Sequence, residues 1–356
     1  MSKLFSELTI RGTAFRNRLW VSPMCQYSSI DGTPTDWHLV HLGSRAVGGA
    51  GAVIVEASGV SPVGRISPDD SGIWADKHVE AFQRITKFIA DAGSVPGIQI
   101  AHAGRKASTS PPWLGGKRVE IADGGWQPIA PRAISFSTDY AMPREMDRAD
   151  IDNVLGEFVS AAKRSVDAGF KVIEVHAAHG YLLHEFLSPL SNTRTDEFGG
   201  DLAGRMRFPL EVAAAVREAV PESIPVFVRI SATDWVEGGW DLAQSVEFSK
   251  KLKEIGIDLI DCSSGGLVEN AQIAVGPNYQ VPFAEAIRRE AGIATAAVGM
   301  ITEPAQAEAI LQSGQADAIM VARQFLRDPY MAFAAAKLLG SVTDVPKQYG
   351  RAIDLR

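Results

Sequence analysis

Two histidines and one tyrosine lie within a six-residue stretch near the middle of the chain: His176, His179 and Tyr181. They follow the apolar run 170–175, which is typical of a buried strand. Imidazole and phenol groups donate hydrogen bonds and transfer protons, so this stretch is a candidate catalytic site. The simplest use of the two histidines is as a neutral pair that donates N–H bonds to a carbonyl oxygen.

A metal site and a purely structural role are the rival interpretations of these histidines. Two histidines three residues apart can bind zinc, but a zinc site needs at least a third ligand. The other candidates, His38, His41, His102 and His184, fall at no convincing spacing for that ligand. We therefore expect no metal. A histidine packed in the core is the usual alternative for a single residue, but it explains a cluster of this kind less well.

The surrounding sequence predicts one (β/α)8 barrel that spans residues 1–356 as a single domain. Short β-branched runs alternate with amphipathic helical patterns, as in barrels of this class. The predicted strands are 18–23, 52–56, 96–101, 171–176, 225–230, 258–263, 294–298 and 316–321, and the predicted helices are 79–92, 151–168, 202–220, 242–255, 279–290 and 304–312. A doubly wound sheet is the competing fold, but no Gly-x-Gly-x-x-Gly motif follows an early strand.

Three segments fall outside the barrel pattern. Residues 104–144 follow the third strand and are rich in Pro, Gly and Trp, which predicts a lid over the catalytic mouth with a hairpin in it. Residues 8–15 alternate around Gly12 and predict a hairpin that plugs the bottom of the barrel. Residues 341–356 form a C-terminal tail.

Composition excludes several classes of function. The net charge is −7 with acids and bases mixed along the chain, so we expect no nucleic-acid partner and no anionic membrane surface. No apolar run reaches the roughly 18 residues of a membrane-spanning helix. The two cysteines, Cys25 and Cys262, are too few for an all-cysteine iron–sulfur cluster, and they favour a reduced, cytoplasmic location.

The carboxyl ends of the predicted strands bring together donors and glycines that suit a flat heterocycle with a phosphate. Gly299 and Arg323 follow the seventh and eighth strands, where barrels commonly bind phosphate. A turn glycine and a surface cation are the alternatives. Arg229 could stabilise negative charge or form a buried ion pair, and Gln99 fits the edge of a pyrimidine-like ring.

Motifs that run in order along the chain resemble the old yellow enzyme family of FMN-dependent ene reductases, in its thermophilic-like bacterial class. The motifs are Pro23-Met24-Cys25-Gln26-Tyr27, Gln99-Ile100-Ala101-His102-Ala103-Gly104-Arg105-Lys106, His176-Ala177-Ala178-His179-Gly180-Tyr181, Ser191-Asn192-Thr193-Arg194-Thr195-Asp196-Glu197-Phe198-Gly199-Gly200, Asp261-Cys262-Ser263-Ser264-Gly265, Ala297-Val298-Gly299-Met300-Ile301 and Ala322-Arg323-Gln324-Phe325-Leu326-Arg327-Asp328-Pro329. They cover nearly the whole chain, although none would suffice alone.

The resemblance implies an FMN cofactor across the barrel mouth and NADPH or NADH as the electron donor. The residues that it implies for FMN binding are Pro23, Met24, Cys25, Ala57, Gln99, Arg229, Gly299, Ala322 and Arg323. Ala322 replaces the glycine that many relatives carry, and its N–H can still donate provided that its φ stays negative.

The resemblance also implies a ping-pong reduction of the C=C bond of electron-poor alkenes such as enones, maleimides and some nitro compounds. His176 and His179 would bind the activating oxygen, and Tyr181 would protonate Cα. Tyr27 would contact the substrate from the other side, and Cys25 would tune the potential of the flavin.

Two further implied substrate contacts are Lys106 and, from a neighbouring subunit, Arg351. The second would require a homodimer or a dimer of dimers. A frayed surface tail is the alternative, because chain ends are commonly disordered. The chain also continues past Arg351 by more residues than is usual in the family.

Two other functions are compatible with a barrel. One is a metal-dependent hydrolase that uses the histidine pair, and the other is a barrel that binds phosphorylated ligands without turnover. The missing third ligand counts against the first, and the proton donor Tyr181 counts against the second. The larger dienoyl reductases carry an iron–sulfur cluster, which two cysteines cannot hold.

Overall fold

A computed structural model describes residues 2–352 of the 356-residue chain. Twelve strands are present within these residues: β1 Leu8–Ile10, β2 Thr13–Phe15, β3 Leu19–Val21, β4 Ala52–Gly59, β5 Val95–Ala101, β6 Ile129–Ala130, β7 Arg144–Glu145, β8 Val172–Ala177, β9 Val226–Ser231, β10 Leu259–Ser263, β11 Ala294–Ala297 and β12 Ala318–Val321. Ten α-helices accompany them in the same part of the chain: α1 Asp36–Val47, α2 Asp76–Asp91, α3 Arg148–Asp167, α4 Leu182–Leu187, α5 Leu202–Ala219, α6 Leu242–Glu254, α7 Val281–Ala291, α8 Pro304–Gln312, α9 Arg323–Arg327 and α10 Met331–Leu338.

Eight of the strands form a closed parallel barrel in the order β3-β4-β5-β8-β9-β10-β11-β12, with β12 paired to β3. Helices connect successive strands, so the (β/α)8 prediction is confirmed. All eight predicted strands and all six predicted helices are present with small shifts at their ends. Strands in such a barrel are buried on both faces, which is why their sequences are almost continuously apolar.

Side chains fill the barrel interior in layers. Along β8, Val172 points into the interior cluster, whereas Ile173 and Val175 face the surrounding helices. The bottom layer includes Phe15, Trp20 and Phe227, and the ring centroids of Phe15 and Trp20 are 4.5 Å apart. This large apolar surface closes the end of the barrel away from the strand carboxyl ends.

The N-terminal hairpin is present as predicted. β1 and β2 pair in antiparallel register, with Leu8 opposite Phe15. Phe15 then inserts between the strands against Trp20, so the hairpin plugs the bottom of the barrel.

The lid segment 104–144 contains no antiparallel pair of extended strands, although two backbone hydrogen bonds join residues 108–110 to residues 117–119 across a short loop. The two short strands there, β6 and β7, pair in parallel. The antiparallel contact within the segment is one isolated bridge, Thr109 with Arg118. Contacts from distant parts of the chain hold the pair instead, because Nη1 of Arg194 donates to the carbonyl oxygens of Pro131 and Met146.

None of the helices in residues 2–352 is long and apolar enough to cross a membrane.

Candidate active site

The predicted cluster of two histidines and a tyrosine is assembled at the carboxyl end of β8. His176 lies on β8, and His179 and Tyr181 lie in the turn that leads into α4. The ring centroid of His176 is 5.2 Å from that of His179 and 5.1 Å from that of Tyr181, and both pairs meet edge to face. The structure therefore brings the three predicted groups together at the carboxyl end of β8 and in the turn that follows it.

Several hydrogen bonds fix the orientation of His179. Its backbone has a φ of 62°, a conformation that is uncommon for residues other than glycine. Its N–H donates to Oγ of Ser231 at 2.9 Å, and its ring Nε2 lies 2.7 Å from Oγ of Ser263. Because one ring nitrogen is held by Ser263, the other is left to interact with a ligand.

Lys106 supports the same turn. Its Nζ donates to the carbonyl oxygen of His179 at 2.9 Å and to that of Gly266 at 2.8 Å. The ammonium also lies over the rings of Phe136 and Tyr181. These contacts stabilise the backbone conformation of His179, and a contact between Lys106 and substrate stays a prediction.

A buried contact between a histidine and a carboxylate lies behind the turn. His184 and Asp234 are both fully buried, with Nε2 and Oδ1 2.9 Å apart, and Nδ1 of His184 accepts from the N–H of Gly180. Burial alone would raise the pKa of Asp234, but His184 together with hydrogen bonds from Ser188 and Trp240 holds it below its usual value. A Cβ at Gly180 would lie 2.2 Å from the carbonyl oxygen of Gly266, so this position requires glycine.

The electrostatics of the cluster favour neutral imidazoles and a protonated phenol. Burial, and next the positive charge of Arg229, lower the pKa of both His176 and His179 well below the usual value. Burial raises the pKa of the Tyr181 phenol well above its usual value, with smaller effects from Cys25 and Tyr27. The site therefore offers N–H donors without a positive charge and one neutral acid.

A cleft of about 490 Å³ opens beside this cluster, between the carboxyl ends of the later barrel strands. Four predicted cofactor-binding residues line it: Arg229, Gly299, Ala322 and Arg323. The helix α9 begins at Arg323, directly after β12. The φ of Ala322 is −103°, so the condition for backbone N–H donation at this position is met.

Gly299 is required by its surroundings. Its φ is 114°, and a Cβ there would lie 2.6 Å from Nε2 of Gln280. The side chain of Gln280 cannot easily move, because it accepts from Oγ of Ser264 at 2.6 Å and donates to the carbonyl oxygen of Val298 at 2.9 Å. The backbone at Gly299 is thus exposed to the cleft without a side chain in front of it.

The other predicted cofactor contacts lie around this cleft. Gln99, on β5, donates from Nε2 to Glu174 at 2.8 Å. Cys25 and Tyr181 pack against the apolar cluster that contains Ala57, which places these three residues on one surface. Met24 packs against the outer core between strands and helices. Pro23 follows β3 and is half-buried.

Tyr27 and Cys25 lie in the segment that follows β3. Tyr27 has a φ of 48° and meets the ring of Trp113 from the lid edge to face, at 5.5 Å between centroids. Burial, and next the charges of Asp70 and Glu56, raise the pKa of the Cys25 thiol. The thiol therefore stays protonated and acts as a weak hydrogen-bond donor.

Arg351 is exposed on the C-terminal tail of its own chain. The tail lines a groove with Val47 and Phe88, which lie near the carboxyl ends of α1 and α2. These ends face the bottom of the barrel, since the helices run antiparallel to the strands. The tail therefore leads away from the active site of its own chain, and residues 353–356 lie outside the described residues.

Within residues 2–352, no three His, Cys, Asp or Glu side chains converge as ligands for a metal ion. Nε2 of His179 is instead engaged with Ser263.

The sequence placed Ser263 in a motif without a specific role, and it did not single out Ser231, Ser22 or Gln280. Ser263 and Ser231 hold His179, Ser22 accepts from Nη1 of Arg229 at 3.1 Å, and Gln280 fixes the loop around Gly299. The signal available for the two serines on β9 and β10 was their place at the carboxyl ends of barrel strands.

Comparison with known proteins agrees with this geometry. The chain matches the NADH:flavin oxidoreductase / NADH oxidase family over residues 3–340. It is 49% identical to the NADPH dehydrogenase of Bacillus subtilis (strain 168) over 351 residues, which cover 98% of each chain. It is also 49% identical to the NADPH dehydrogenase of Geobacillus sp. (strain WCH70) over 350 residues, again 98% of each chain.

Solved structures show the same fold. Morphinone reductase superimposes with a TM-score of 0.81 at 26% identity, covering 97% of this chain and 92% of that one. An old yellow enzyme homologue from Zymomonas mobilis superimposes with a TM-score of 0.79 at 27% identity, covering 98% of this chain and 96% of that one.

The fold and the comparisons define a flavin-dependent (β/α)8 oxidoreductase. The chain belongs to the NADH:flavin oxidoreductase / NADH oxidase family and is an FMN-dependent NAD(P)H oxidoreductase of the old yellow enzyme type. The predictions of this family, of FMN and of NAD(P)H as electron donor are confirmed. The cleft fits FMN chemically, because it combines an uncovered backbone at Gly299 with the cations Arg229 and Arg323.

Proposed function

We propose that this enzyme reduces the C=C bond of alkenes that carry an electron-withdrawing oxygen group, with electrons from NAD(P)H. The observation that carries the proposal is the joint placement of two neutral imidazoles and one protonated phenol on a single turn. Such a set can polarise an oxygen and deliver a proton. It is therefore suited to an activated alkene.

FMN, when bound, supplies the hydride that it has accepted from NAD(P)H. His176 and His179 donate N–H bonds to the carbonyl or nitro oxygen of the substrate and stabilise the negative charge that develops on it. Because both imidazoles are neutral, their donation strengthens as that charge grows, without an ion pair in the ground state. Tyr181 then gives its phenolic proton to Cα.

Within the site, we assign FMN to the cleft and its edges. Arg323 and the backbone at Gly299 and Ala322 hold the phosphate, since N–H groups and a guanidinium bind such anions well. Arg229 and Gln99 contact the pyrimidine part of the ring. Pro23, Met24, Cys25 and Ala57 belong to the opposite edge, and Cys25 tunes the potential as a weak donor.

A single pocket for NAD(P)H and alkene predicts ping-pong kinetics. The test is a panel of cyclic enones, maleimides and nitro compounds under anaerobic conditions, with NADPH and NADH compared. We expect parallel double-reciprocal lines and turnover of the activated alkenes only. Intersecting lines, or equal rates with unactivated alkenes, would contradict the proposal.

We further propose that the site is completed by Arg351 from a second copy of the chain. Arg351 is exposed, and the tail that carries it leads away from the active site of its own chain. Its side chain can therefore reach another subunit. The exposed apolar residues Ile30, Trp37 and Val40 offer a surface for this contact close to Tyr27, since Trp37 donates to the side chain of Gln26 at 3.1 Å.

Substituting Arg351→Ala should raise the KM for the alkene in an enzyme that self-associates, with little change in FMN content. Sedimentation should show a dimer or a larger assembly in the same buffer. A monomeric enzyme with full activity, or an unchanged KM, would dispose of this contact. Lys337→Ala, which removes an exposed cation from α10, serves as the control.

A further inference from the structure

A cluster of buried charges lies in the barrel interior directly below the active site. It consists of Glu174 on β8, Arg229 on β9 and Asp261 on β10, with Gln99 on β5 beside it. The strands are in register, so Gln99 lies opposite Glu174 and Arg229 lies opposite Asp261. Glu174 and Asp261 are completely buried, and Arg229 is 6% exposed where it lines the cleft.

The two carboxylates are poorly supplied with hydrogen bonds. Glu174 accepts from Gln99 through Oε1, but its Oε2 has no donor among residues 2–352. Oδ2 of Asp261 lies 3.1 Å from Nε of Arg229, yet the two are not aligned for a hydrogen bond. Neither oxygen of Asp261 has another donor in the described part of the chain. Asp261 and Arg229 are thus linked by electrostatic attraction and not by a hydrogen bond.

The charges of the cluster do not balance if both carboxyl groups are ionised. One guanidinium compensates one carboxylate, and the second would remain as an uncompensated charge in a solvent-excluded interior, which is strongly unfavourable. Binding of one proton makes the cluster neutral. In agreement, burial, and next the charge of Asp261, raise the pKa of Glu174, while burial also raises the pKa of Asp261.

The neighbouring elements do not alter this balance within residues 2–352. Gln99 on β5 and Ser22, which follows β3, are polar but uncharged. Val298 and Met320 contribute apolar side chains after β11 and on β12. His176, which lies opposite Arg229 across the strand pair, is kept neutral by its lowered pKa.

We propose that Glu174 and Asp261 share one exchangeable proton below the FMN site, and that Arg229 links this proton to the redox state of the cofactor. Both carboxyl groups act through Arg229 and Gln99, so they are positioning residues and not catalytic ones. The inference rests on the proposed placement of FMN against Arg229 and Gln99.

The linkage follows from the charge that reduction adds. A hydride from NAD(P)H carries two electrons and one proton, so the enzyme gains one negative charge above Arg229. Arg229 then compensates that charge as well, and the carboxyl pair holds its proton more tightly. At a pH above the pKa of the carboxyl pair in the oxidised enzyme, reduction therefore draws one proton from solvent to the pair. Reoxidation releases the same proton, so the net proton uptake by the pair over a turnover is zero.

The test is the midpoint potential of FMN in the purified holoenzyme, measured from neutral to alkaline pH without any alkene. In the wild-type enzyme, we expect the slope of the midpoint potential against pH to steepen as pH rises. It should change from the value for one proton per two electrons to the value for two protons per two electrons. Glu174→Gln retains an acceptor for Gln99 but cannot titrate, and Asp261→Asn is its counterpart. Each should abolish the steepening.

Glu185→Gln is the matched control. Glu185 is also completely buried, and burial raises its pKa to about 8, but it lies on α4, where Oε1 accepts from the N–H of Arg105. Its substitution should leave the steepening in place. If Glu185→Gln removes it, or if Glu174→Gln and Asp261→Asn both retain it, the proposal is wrong.

A second measurement decides the matter even if the variants fold poorly. Reduced-minus-oxidised infrared spectra of the wild-type enzyme at alkaline pH should gain a carboxylic acid C=O band and lose a carboxylate band. A purely structural pair would weaken FMN binding in the variants and leave both the slope and the spectra unchanged, which would overturn the proposal. Arg229→Ala tests the cofactor placement separately, because it should raise the Kd for FMN.

Discussion

At the residue scale, the ring of His179 is oriented by a serine from another strand. Nε2 of His179 is 2.7 Å from Oγ of Ser263, and the backbone N–H is held by Ser231. This arrangement fixes which ring nitrogen can reach a substrate oxygen. The orientation of His179 therefore depends on β9 and β10 as well as on β8.

Ser263→Ala should weaken the binding of phenolic ligands and enones by about fivefold, because one neutral hydrogen bond contributes about 1 kcal/mol. Titration of the FMN absorbance with a phenol measures this. Ser249→Ala, which removes a buried hydroxyl that donates to Ser245 within α6, is the control and should leave the affinity unchanged. Equal affinities in all three proteins would contradict the role of Ser263.

The sequence predicted roles for the histidines and the tyrosine but not for the serines that hold His179, for a physical reason. The histidines stand close together in the chain, so their spacing is visible. Ser263 is 84 positions away from His179, and only the closure of the barrel brings the two together. A serine at the end of a strand carries no distinguishing pattern until its neighbours in space are known.

At the element scale, the loops after β11 and β12 line the cleft to which we assign the phosphate of FMN. Gly299 has a positive φ and is packed against the anchored side chain of Gln280. Such a backbone cannot accept a side chain without moving the loop. Glycine is therefore needed at position 299 because it has no side chain and can adopt this φ, more than because it is flexible.

Gly299→Ala should raise the dissociation constant of FMN by roughly 5- to 150-fold, because strain of this kind costs about 1–3 kcal/mol. Fluorescence titration of the apoprotein measures it. Gly314→Ala introduces a side chain at a φ of 74° with no atom within 4 Å, away from the cleft. The FMN affinity of this control should equal that of the wild type. An unchanged FMN affinity in Gly299→Ala would refute the assignment of the phosphate of FMN to this loop.

Strands and helices could be predicted from the sequence where their apolar residues followed a regular pattern. All eight barrel strands are largely apolar runs, interrupted by polar residues mainly toward their carboxyl ends, and they were found. α1 was not predicted, since its buried face includes His38, His41 and Arg45 and contains Gly43, which hides the helical apolar pattern. β6 and β7 have two residues each, too few for any period, and their pairing depends on the distant Arg194.

At the scale of the whole molecule, stability and chemistry lie at opposite ends of the barrel. The hairpin β1–β2 closes the bottom with Phe15, whereas the site occupies the carboxyl ends of the strands. Changes at the bottom should therefore affect folding without affecting catalysis.

Phe15→Ala should lower the free energy of unfolding by about 3–5 kcal/mol, because it leaves a cavity between Trp20 and Phe227. Denaturant unfolding of the holoenzyme measures the loss, and FMN content should stay near that of the wild type. Phe88→Ala, which truncates a phenylalanine that is 44% exposed, should cost less than about 1 kcal/mol. Similar losses in both variants would show that the plug contributes little.

The most direct test of the alkene reductase proposal separates its two half-reactions in Tyr181→Phe by anaerobic stopped flow. Reduction of the enzyme by NADPH should stay close to the wild-type rate, because Tyr181 gives no proton in that step. Reoxidation of the pre-reduced enzyme by 2-cyclohexenone should slow by about 100-fold or more, as expected for loss of a general acid. An unchanged reoxidation rate, or an equal loss in both half-reactions, would contradict the account.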